Sequence, residues 1–171
     1  MDVFEALFTR RSIRKYTDEP VSDADVQTML KAAMLAPSAK NERPWAFVVV
    51  RDAALRAELS EAPPYVKMAA HAPVVIVVCG DLNEDKAGGR WEQDCSAAIE
   101  NLLLAARGLE IGTVWCALHP DSGRVATVRG ILGIPEHVVP LGLVCVGHPA
   151  QPFSEADRFM PERIHYERWQ G

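Results

Sequence analysis

The chain has 171 residues, 49% of them hydrophobic, and its 18 Lys and Arg against 23 Asp and Glu give a formal net charge of −5. A chain of this size predicts one globular domain over residues 1–171 that buries its own core without a disulfide framework or a structural metal. The acidic total argues against a general affinity for nucleic acid or for anionic membranes.

Hydrophobic periodicity predicts helices and strands that alternate along the chain. The helices are predicted from residue 3 into 10–11, from 22 to before 37, and over 52–61, 65–71, 91–109 and 124–132. The strands are predicted over 45–50, 74–79, 113–118 and 138–146. The first two strands are almost entirely apolar, as expected of strands that helices cover on both faces. The strands alone would therefore allow a doubly wound sheet.

Four local patterns refine these elements. Ser22 and Asp25 resemble a capping box at the start of the second helix. Gly112 follows the longest helix as a terminating glycine does, and Pro140 predicts an edge or bulge position at the start of the last strand. Residues 121–123, Asp-Ser-Gly, predict a turn between strand and helix in preference to a hydrolase nucleophile.

After residue 147 the sequence predicts an extended arm over residues 148–171. Prolines occupy positions 149, 152 and 161, and residues 148–161 show neither helical nor strand periodicity. The chain contains no internal repeat and no linker, so we expect a single domain with this arm as its tail.

Targeting and metal-binding patterns are absent from the sequence. The N-terminus has no basic stretch before an apolar run, and no later apolar run is long enough to cross a bilayer, so we expect a cytoplasmic protein. No Cys-x-x-Cys pair occurs and the five histidines have no ligand spacing, so we predict no metal site. We instead predict reduced core thiols at Cys79, Cys95, Cys116 and Cys145.

The sharpest local feature is the segment RRSIRKY at residues 10–16, which places four cations and a hydroxyl just after a short helix. Guanidinium groups bind phosphate oxygens in a bidentate manner, so this basic segment predicts a site for a phosphorylated ligand. Two other interpretations remain open. The cations can simply offset the helix dipole in solvent, or they can form a nucleic-acid patch whose binding weakens steeply with salt.

A second feature is the loop APSAKNERPW at residues 36–45, between a helix and a buried strand. Its plainest interpretation is an ordinary connection bounded by prolines. It also concentrates a hydroxyl, an amide, two cations and a tryptophan where loops emerge from a rigid scaffold, which is where binding residues tend to lie.

Five segments in this order resemble the nitroreductase family of FMN-dependent oxidoreductases: RRSIRKY, APSAKNERPWAFVVV, QDCSAAIENLLLAARGLEIGTVW, LGLVCVGHPA and RFMPERIHYERW. The resemblance covers nearly the whole chain and is to the compact form of the family. It implies an α+β fold with a central mixed sheet between helices. It also implies an intertwined homodimer that holds FMN at each subunit interface, with a C-terminal arm that crosses to the partner.

The resemblance also implies which residues bind the cofactor. The family's first FMN segment, which holds the phosphate and ribityl chain, matches Arg10, Arg11, Ser12 and Arg14. The loop that approaches the flavin from the partner subunit matches Pro37, Ser38, Ala39 and Asn41, with Ala39 where the family often has a second serine. A backbone turn beside the isoalloxazine and a late basic residue near the phosphate match Gly112, Thr113 and Arg158, with Asp157 where the family often has another cation.

By this resemblance, FMN passes electrons from NAD(P)H to a small planar acceptor such as a nitroaromatic or a quinone, with ping-pong kinetics and no catalytic side chain. Trp91, Tyr65 and Phe153 are candidate pocket aromatics, although we expect packing roles for them. Two alternatives stay open. One is an FMN storage or sensing protein with little turnover, and the other is a divergent flavin reaction such as flavin breakdown, dehalogenation or dehydrogenation.

Overall fold

Five α-helices, four strands and three 3-10 turns follow one another in the computed structural model, which describes residues 1–62, 66–154 and 156–169. The helices are α1 (Val3–Thr9), α2 (Asp23–Met34), α3 (Ala53–Glu61), α4 (Trp91–Gly108) and α5 (Ser122–Leu132). The strands are β1 (Trp45–Val50), β2 (Val74–Asp81), β3 (Gly112–Ala117) and β4 (Val138–Gly147). The 3-10 turns are Ala39–Asn41, Lys67–Ala70 and Pro161–Arg163.

The predicted elements are confirmed to within a few residues, with one exception. The helix expected over 65–71 is the 3-10 turn Lys67–Ala70, and Tyr65 lies outside the described residues. Over those same described ranges, none of the helices is both long and apolar enough to span a membrane.

The four strands form one sheet in the order β1-β2-β4-β3, and each neighbouring pair is antiparallel. The α+β class is confirmed, while the doubly wound parallel sheet that the strands alone allowed is not formed. The sheet of one chain is also not mixed as expected. In the described part of the chain, the one parallel pairing is an isolated bridge between Ser12 and Thr113.

The strands are apolar on both faces because helices cover both faces of this antiparallel sheet. Alternate residues of β2 point to opposite sides. Ile76 and its neighbours on one side pack with α2 and α4, and Val77 on the other side packs with α3 and α5. The signature of a parallel sheet therefore arises here from two-sided burial alone.

Pro140 lies in a central strand at a β-bulge, which confirms the predicted edge or bulge position through its second alternative. Val78 pairs with Gly142 and Cys79 pairs with Pro140, which leaves Leu141 as the extra residue of the bulge. The carbonyl of Leu141 accepts two N–H groups from the residues that follow β3, those of Leu118 at 2.9 Å and His119 at 3.1 Å.

Side-chain caps begin the helices where the sequence predicts them. Ser22 Oγ accepts from the Asp25 N–H at 3.1 Å, which confirms the N-cap. The Asp25 carboxylate accepts from the Ser22 hydroxyl at 2.6 Å, where a full capping box would have it accept the Ser22 N–H. Asp121 caps α5 by accepting from the Arg124 N–H at 3.0 Å, and Ser122 and Gly123 are the first residues of that helix. The turn predicted over 121–123 lies instead at residues 119–120.

Replacing Ser22 with alanine removes the acceptor for the Asp25 N–H. We expect the free energy of unfolding to fall by about 1 kcal/mol. Urea titration followed by circular dichroism measures it, with Gln27→Ala on the exposed side of the same helix as control. Equal stability of the Ser22 variant and wild type would show that the cap contributes nothing.

Gly112 does not end α4, contrary to the prediction. The helix ends in a Schellman arrangement in which Glu110, with φ of 60°, takes the left-handed position. The Ile111 N–H donates to the Ala106 carbonyl at 2.9 Å. Gly112 instead opens β3, where a Cβ atom would lie 2.7 Å from Ile13 Cγ2, so close packing is what requires the glycine.

The four cysteines are free thiols, as predicted. Cys79, Cys95 and Cys145 are buried, and burial raises the pKa of Cys79 and of Cys95 to about 12. Cys116 departs from the predicted core position because it is only half-buried.

The described residues after β4 hold one 3-10 turn and neither helix nor strand, in keeping with the extended conformation predicted for this segment. Its first residues dock on the basic segment of the same chain. The Ala150 N–H donates to the Lys15 carbonyl at 2.9 Å, and Gln151 Oε1 accepts from the N–H groups of Arg14 and Lys15 at 3.2 and 3.1 Å.

Candidate active site

The basic segment runs from the end of α1 onto the outer edge of β3. Ile13 is fully buried, and its N–H donates to the Thr113 carbonyl at 2.8 Å. Ser12 and Arg14, on either side of it, are exposed. The buried isoleucine therefore anchors the segment, and the polar side chains beside it stay available to a ligand along the start of β3.

Three predicted site residues from distant parts of the chain line one cavity of about 500 Å³, which we call the arginine cavity. They are Arg10, Arg11 and Arg158, and Asp157 and Phe159 complete part of the wall. The charge of Asp157 opposes an anion here. The cavity still gathers three guanidinium groups, which is the chemistry that phosphate binding requires.

The two arginines of α1's C-terminal end are held in different ways. Arg10 Nε lies 3.5 Å from a carboxylate oxygen of Glu100 on α4. Arg11 donates to the carbonyls of Arg10 at 2.6 Å and Ala156 at 3.3 Å. Its Nε is buried and has no hydrogen-bond partner among the described residues. A buried donor of this kind is a sign of an acceptor from outside the chain.

A second cavity of about 510 Å³ opens beside the basic segment along β3, and we call it the strand cavity. This volume is in the range of sites for small molecules and cofactors. Its polar groups are two guanidiniums and one thiol on an otherwise largely apolar wall. The lining residues are Arg14, Val66, Met68, Val114, Trp115, Cys116, Ala117 and Arg124.

Apart from Arg14, the lining of the strand cavity was not among the predicted site residues. Four of its members continue β3 directly after Gly112 and Thr113, so their position in sequence was a usable indication. Val66 and Met68 come from the 3-10 turn before β2, and Arg124 comes from α5. No sequence pattern indicates that these two elements meet β3.

Cys116 is the titratable thiol of the strand cavity. A hydrogen bond with Cys145 lowers its pKa, and the positive charge of Arg14 lowers it further. The same hydrogen bond, together with burial, raises the pKa of Cys145 well above its usual value. Burial also raises the pKa of Tyr16, whose hydroxyl donates to the Ile13 carbonyl at 2.6 Å. Of the two hydrogen-bonded thiols, Cys116 is therefore more readily ionised than Cys145.

The loop that carries Pro37, Ser38, Ala39 and Asn41 lies at the opposite end of α4 from the basic segment. The Ala39 N–H donates to Asp94 in the first turns of α4, at 3.0 Å. Arg107, in the last turn, donates to Thr9 beside the basic segment at 2.9 Å. The helix rises roughly 20 Å between these two contacts, and about 9 Å from Asp94 to Glu100, which pairs with Arg10. Within one chain, neither the arginine cavity nor the strand cavity is lined by a described residue of this loop.

The candidate pocket aromatics have packing roles where they are described, as expected. Trp91 is buried and meets the His119 ring edge-on at 5.0 Å between centroids. Phe153 lies under the Arg107 guanidinium, 4.2 Å from its carbon to the ring centroid. Tyr65 is outside the described residues. Trp115, which is not among the predicted pocket aromatics, lines the strand cavity.

Both the sequence and the fold of this chain match known proteins. The model of the Nitroreductase family matches residues 7–64 and 61–148. A protein of Methanothermobacter thermautotrophicus, provisionally named NADH dehydrogenase/NAD(P)H nitroreductase, is 47% identical over 99% of this chain and 88% of its own length.

Solved structures agree with this match. A Parabacteroides distasonis protein of the same provisional name superposes with a TM-score of 0.94 at 36% identity, with 98% of each chain covered. The FMN complex of a provisionally named nitroreductase from Desulfovibrio desulfuricans gives a TM-score of 0.88 at 34% identity, with 99% of each chain covered. The sequence match and the fold together show that this chain is a member of the nitroreductase family.

Proposed function

We propose that the protein is an FMN-dependent oxidoreductase that takes electrons from NAD(P)H and passes them to a small planar acceptor such as a nitroaromatic or a quinone, with ping-pong kinetics. The observation that carries this proposal is that one basic segment contributes to both cavities, Arg10 and Arg11 to the arginine cavity and Arg14 to the strand cavity. The chain's relatives support it, since they include an FMN reductase of Bacillus subtilis at 28% identity.

The residues of both cavities fit FMN. Arg10, Arg11 and Arg158 would hold the phosphate, and the unpartnered Nε of Arg11 supplies a donor that lacks an acceptor. Exposed Ser12 would donate to the phosphate or ribityl chain. Residues 10 to 14 span at most about 14 Å of chain, so one ligand with a phosphate at one end and a ring at the other can reach both cavities.

The strand cavity provides the surroundings that a flavin ring needs. Bound FMN supplies the hydride and electron transfer, so the chain's own task is to bind, orient and tune it. Val114 and Trp115 offer apolar contact, and Arg14 and Arg124 place positive charge at the same wall. Fixed positive charge of this kind favours the negative charge that develops on reduction. Gly112 and Thr113 contribute backbone beside the ring.

We also propose that the site is completed in a homodimer. The helix α1 exposes Phe4 and Phe8 at 65% and 70%, and the arm exposes Phe159 and Trp169 at 73% and 84%. Apolar surface of this extent indicates a protein interface. In the proposed dimer the arm over 148–171 crosses to the partner, and the partner's loop brings Pro37, Ser38, Ala39 and Asn41 to the flavin. We place this single-domain enzyme in the cytoplasm.

Anaerobic titration tests the proposal. We expect the purified protein to be yellow and to lose its flavin absorbance when NADH or NADPH is added, and to regain it on addition of a nitroaromatic or a quinone. Yellow protein that neither nicotinamide bleaches would favour FMN storage or sensing. Colourless protein that takes up no added FMN would overturn the proposal.

Protection of Cys116 tests the position of the ring. Iodoacetamide reacts with thiolates, so we expect it to modify Cys116 first in the FMN-free protein, because the other thiols have raised pKa values. At FMN tenfold above its dissociation constant, modification should slow about tenfold, since only the free protein reacts. Mass spectrometry identifies the modified residue, with Cys116→Ser as control. If FMN leaves the rate of Cys116 modification unchanged, the flavin ring does not bind in the strand cavity.

A further inference from the structure

Asp94 is a buried acidic side chain that the proposed function has not used. It lies in the first turns of α4 and is 6% exposed. One carboxylate oxygen accepts the Ala39 N–H at 3.0 Å. The other oxygen is buried and has no hydrogen-bond partner in the described part of the chain. A buried carboxylate with a single partner costs free energy, so a role beyond core filling is indicated.

The loop that Asp94 holds is strained. Lys40, Asn41 and Arg43 have φ values of 50°, 57° and 53°, in the left-handed region that side chains other than glycine rarely adopt. Three such residues within four positions persist only when surrounding contacts enforce them. Strain of this kind collects at binding sites.

Two backbone hydrogen bonds close the turn inside the loop, from the N–H groups of Asn41 and Glu42 to the carbonyls of Ser38 and Ala39, each at 3.0 Å. Within the loop, Ser38 Oγ accepts the Arg43 N–H at 3.0 Å. Outside it, Glu42 accepts the Ala87 N–H at 2.8 Å at the far end of the loop. The bond from Ala39 to Asp94 is the hydrogen bond that ties the loop's beginning, where Pro37, Ser38 and Ala39 stand, to α4.

We propose that Asp94 is a positioning residue, which fixes the loop of residues 37–43 in the strained shape that completes the FMN site of the partner subunit. This inference rests on the proposed function. Asp94 on α4 would then act on binding of the flavin ring, and the arginine cavity would act on binding of the phosphate. Substitutions at Asp94 and in the arginine cavity should therefore weaken contacts with different parts of FMN.

The first test measures how often the loop of residues 37–43 opens in the absence of flavin. Trypsin cleaves after Lys40, which is exposed, whereas the Arg43–Pro44 bond resists it. In the FMN-free protein we expect Asp94→Ala to speed cleavage after Lys40 about tenfold, because proteolysis follows the population of the opened loop. Asp94→Asn retains an acceptor for the Ala39 N–H and should be cleaved more slowly than Asp94→Ala.

A second variant removes the same bond from its other partner. Ala39 opens a 3-10 turn, and Ser38 before it is extended, with φ of −140° and ψ of 152°. Proline is tolerated at such a position, so Ala39→Pro deletes the N–H donor and no other backbone hydrogen bond. It should match Asp94→Ala in cleavage rate, and the double variant should add little more. If Asp94→Ala does not fold, Ala39→Pro decides the test.

The second test separates ring from phosphate. Affinities for FMN and riboflavin are measured by quenching of flavin fluorescence. We expect Asp94→Ala to weaken both about tenfold, because the loop faces the ring that both share. Arg10→Ala should weaken FMN and leave riboflavin unchanged.

The outcomes are distinct. Faster cleavage with wild-type affinity for both flavins would overturn the proposal, because the loop would then be held for another reason. Wild-type cleavage in Asp94→Ala and Ala39→Pro would also overturn it. If wild-type protein binds neither flavin, the proposed function fails, and the cleavage rates still report whether Asp94 holds the loop.

Discussion

Protein with Arg10 replaced by alanine is expected to purify without its yellow colour. Arg10 lines the arginine cavity with Arg11 and Arg158, and its loss removes a charge-assisted contact with the phosphate. Such contacts contribute about 1.5–3 kcal/mol, so we expect FMN to bind roughly ten- to a hundredfold more weakly. Absorbance at the flavin maximum, divided by protein concentration, gives the bound fraction. Ser12→Ala should act in the same direction with a smaller loss.

The controls for Arg10→Ala follow from its contacts. Arg10 also pairs with Glu100 at 3.5 Å, so part of any effect could come from a carboxylate left without its cation. Glu100→Gln separates the two, because it removes the pair and keeps the guanidinium. Arg51→Ala breaks a closer ion pair with Asp23 at 2.8 Å, remote from both cavities, and should leave FMN in place. Stoichiometric FMN in the Arg10 variant would show that the phosphate lies elsewhere.

Replacing Gly112 with alanine is expected to damage both stability and cofactor binding. The new Cβ would lie 2.7 Å from Ile13 Cγ2 and 2.9 Å from Ile13 Cβ, so the isoleucine must move. Overpacking of a buried site costs about 1–3 kcal/mol of the free energy of unfolding. Movement of Ile13 also disturbs its hydrogen bond to Thr113, which holds the basic segment on β3. FMN affinity should therefore fall with stability.

Gly108 provides the matched control. It ends α4, and a Cβ there would meet nothing within 4 Å. Gly108→Ala should raise the free energy of unfolding by up to about 1 kcal/mol, because alanine favours the helix. Urea titration and flavin fluorescence measure the two effects. A Gly112 variant as stable as wild type would mean that Ile13 yields without cost.

The sequence reveals the elements of this fold better than their arrangement. The strands can be found in the sequence because burial on both faces leaves short, nearly continuous apolar runs in the chain itself. Strand order leaves no such pattern, so Pro140 allows either an edge or a bulge until the structure shows β4 between β2 and β3. Gly112 was assigned to a helix end because a glycine that ends a helix and one that admits Ile13 look alike, while Glu110 took the left-handed position.

The candidate site divides in the same way. Arg10 and Arg158 are 148 positions apart, and only the resemblance to a known family connected them before the structure brought both to one cavity. Most of the strand cavity could not be predicted from the sequence, because Val66, Met68 and Arg124 reach β3 only through tertiary packing. The sequence likewise does not distinguish Asp94 from the other acidic residues of the predicted helices. Its burial, its unpartnered oxygen and its contact with Ala39 are visible only in three dimensions.

In the proposed dimer, α4 sets the spacing between the parts that one subunit gives to the two FMN sites. Glu100 and Arg107 locate the basic segment of one site, and Asp94 locates the loop that serves the other. One inserted residue between them would turn the helix by about 100° and put both supports out of register together. Each subunit would give its arginines to one flavin and its loop to the other. In a dimer of two different variants, the two FMN sites would therefore carry different numbers of defects. A subunit without Arg10 paired with one without Asp94 would keep one intact site and concentrate both defects in the second.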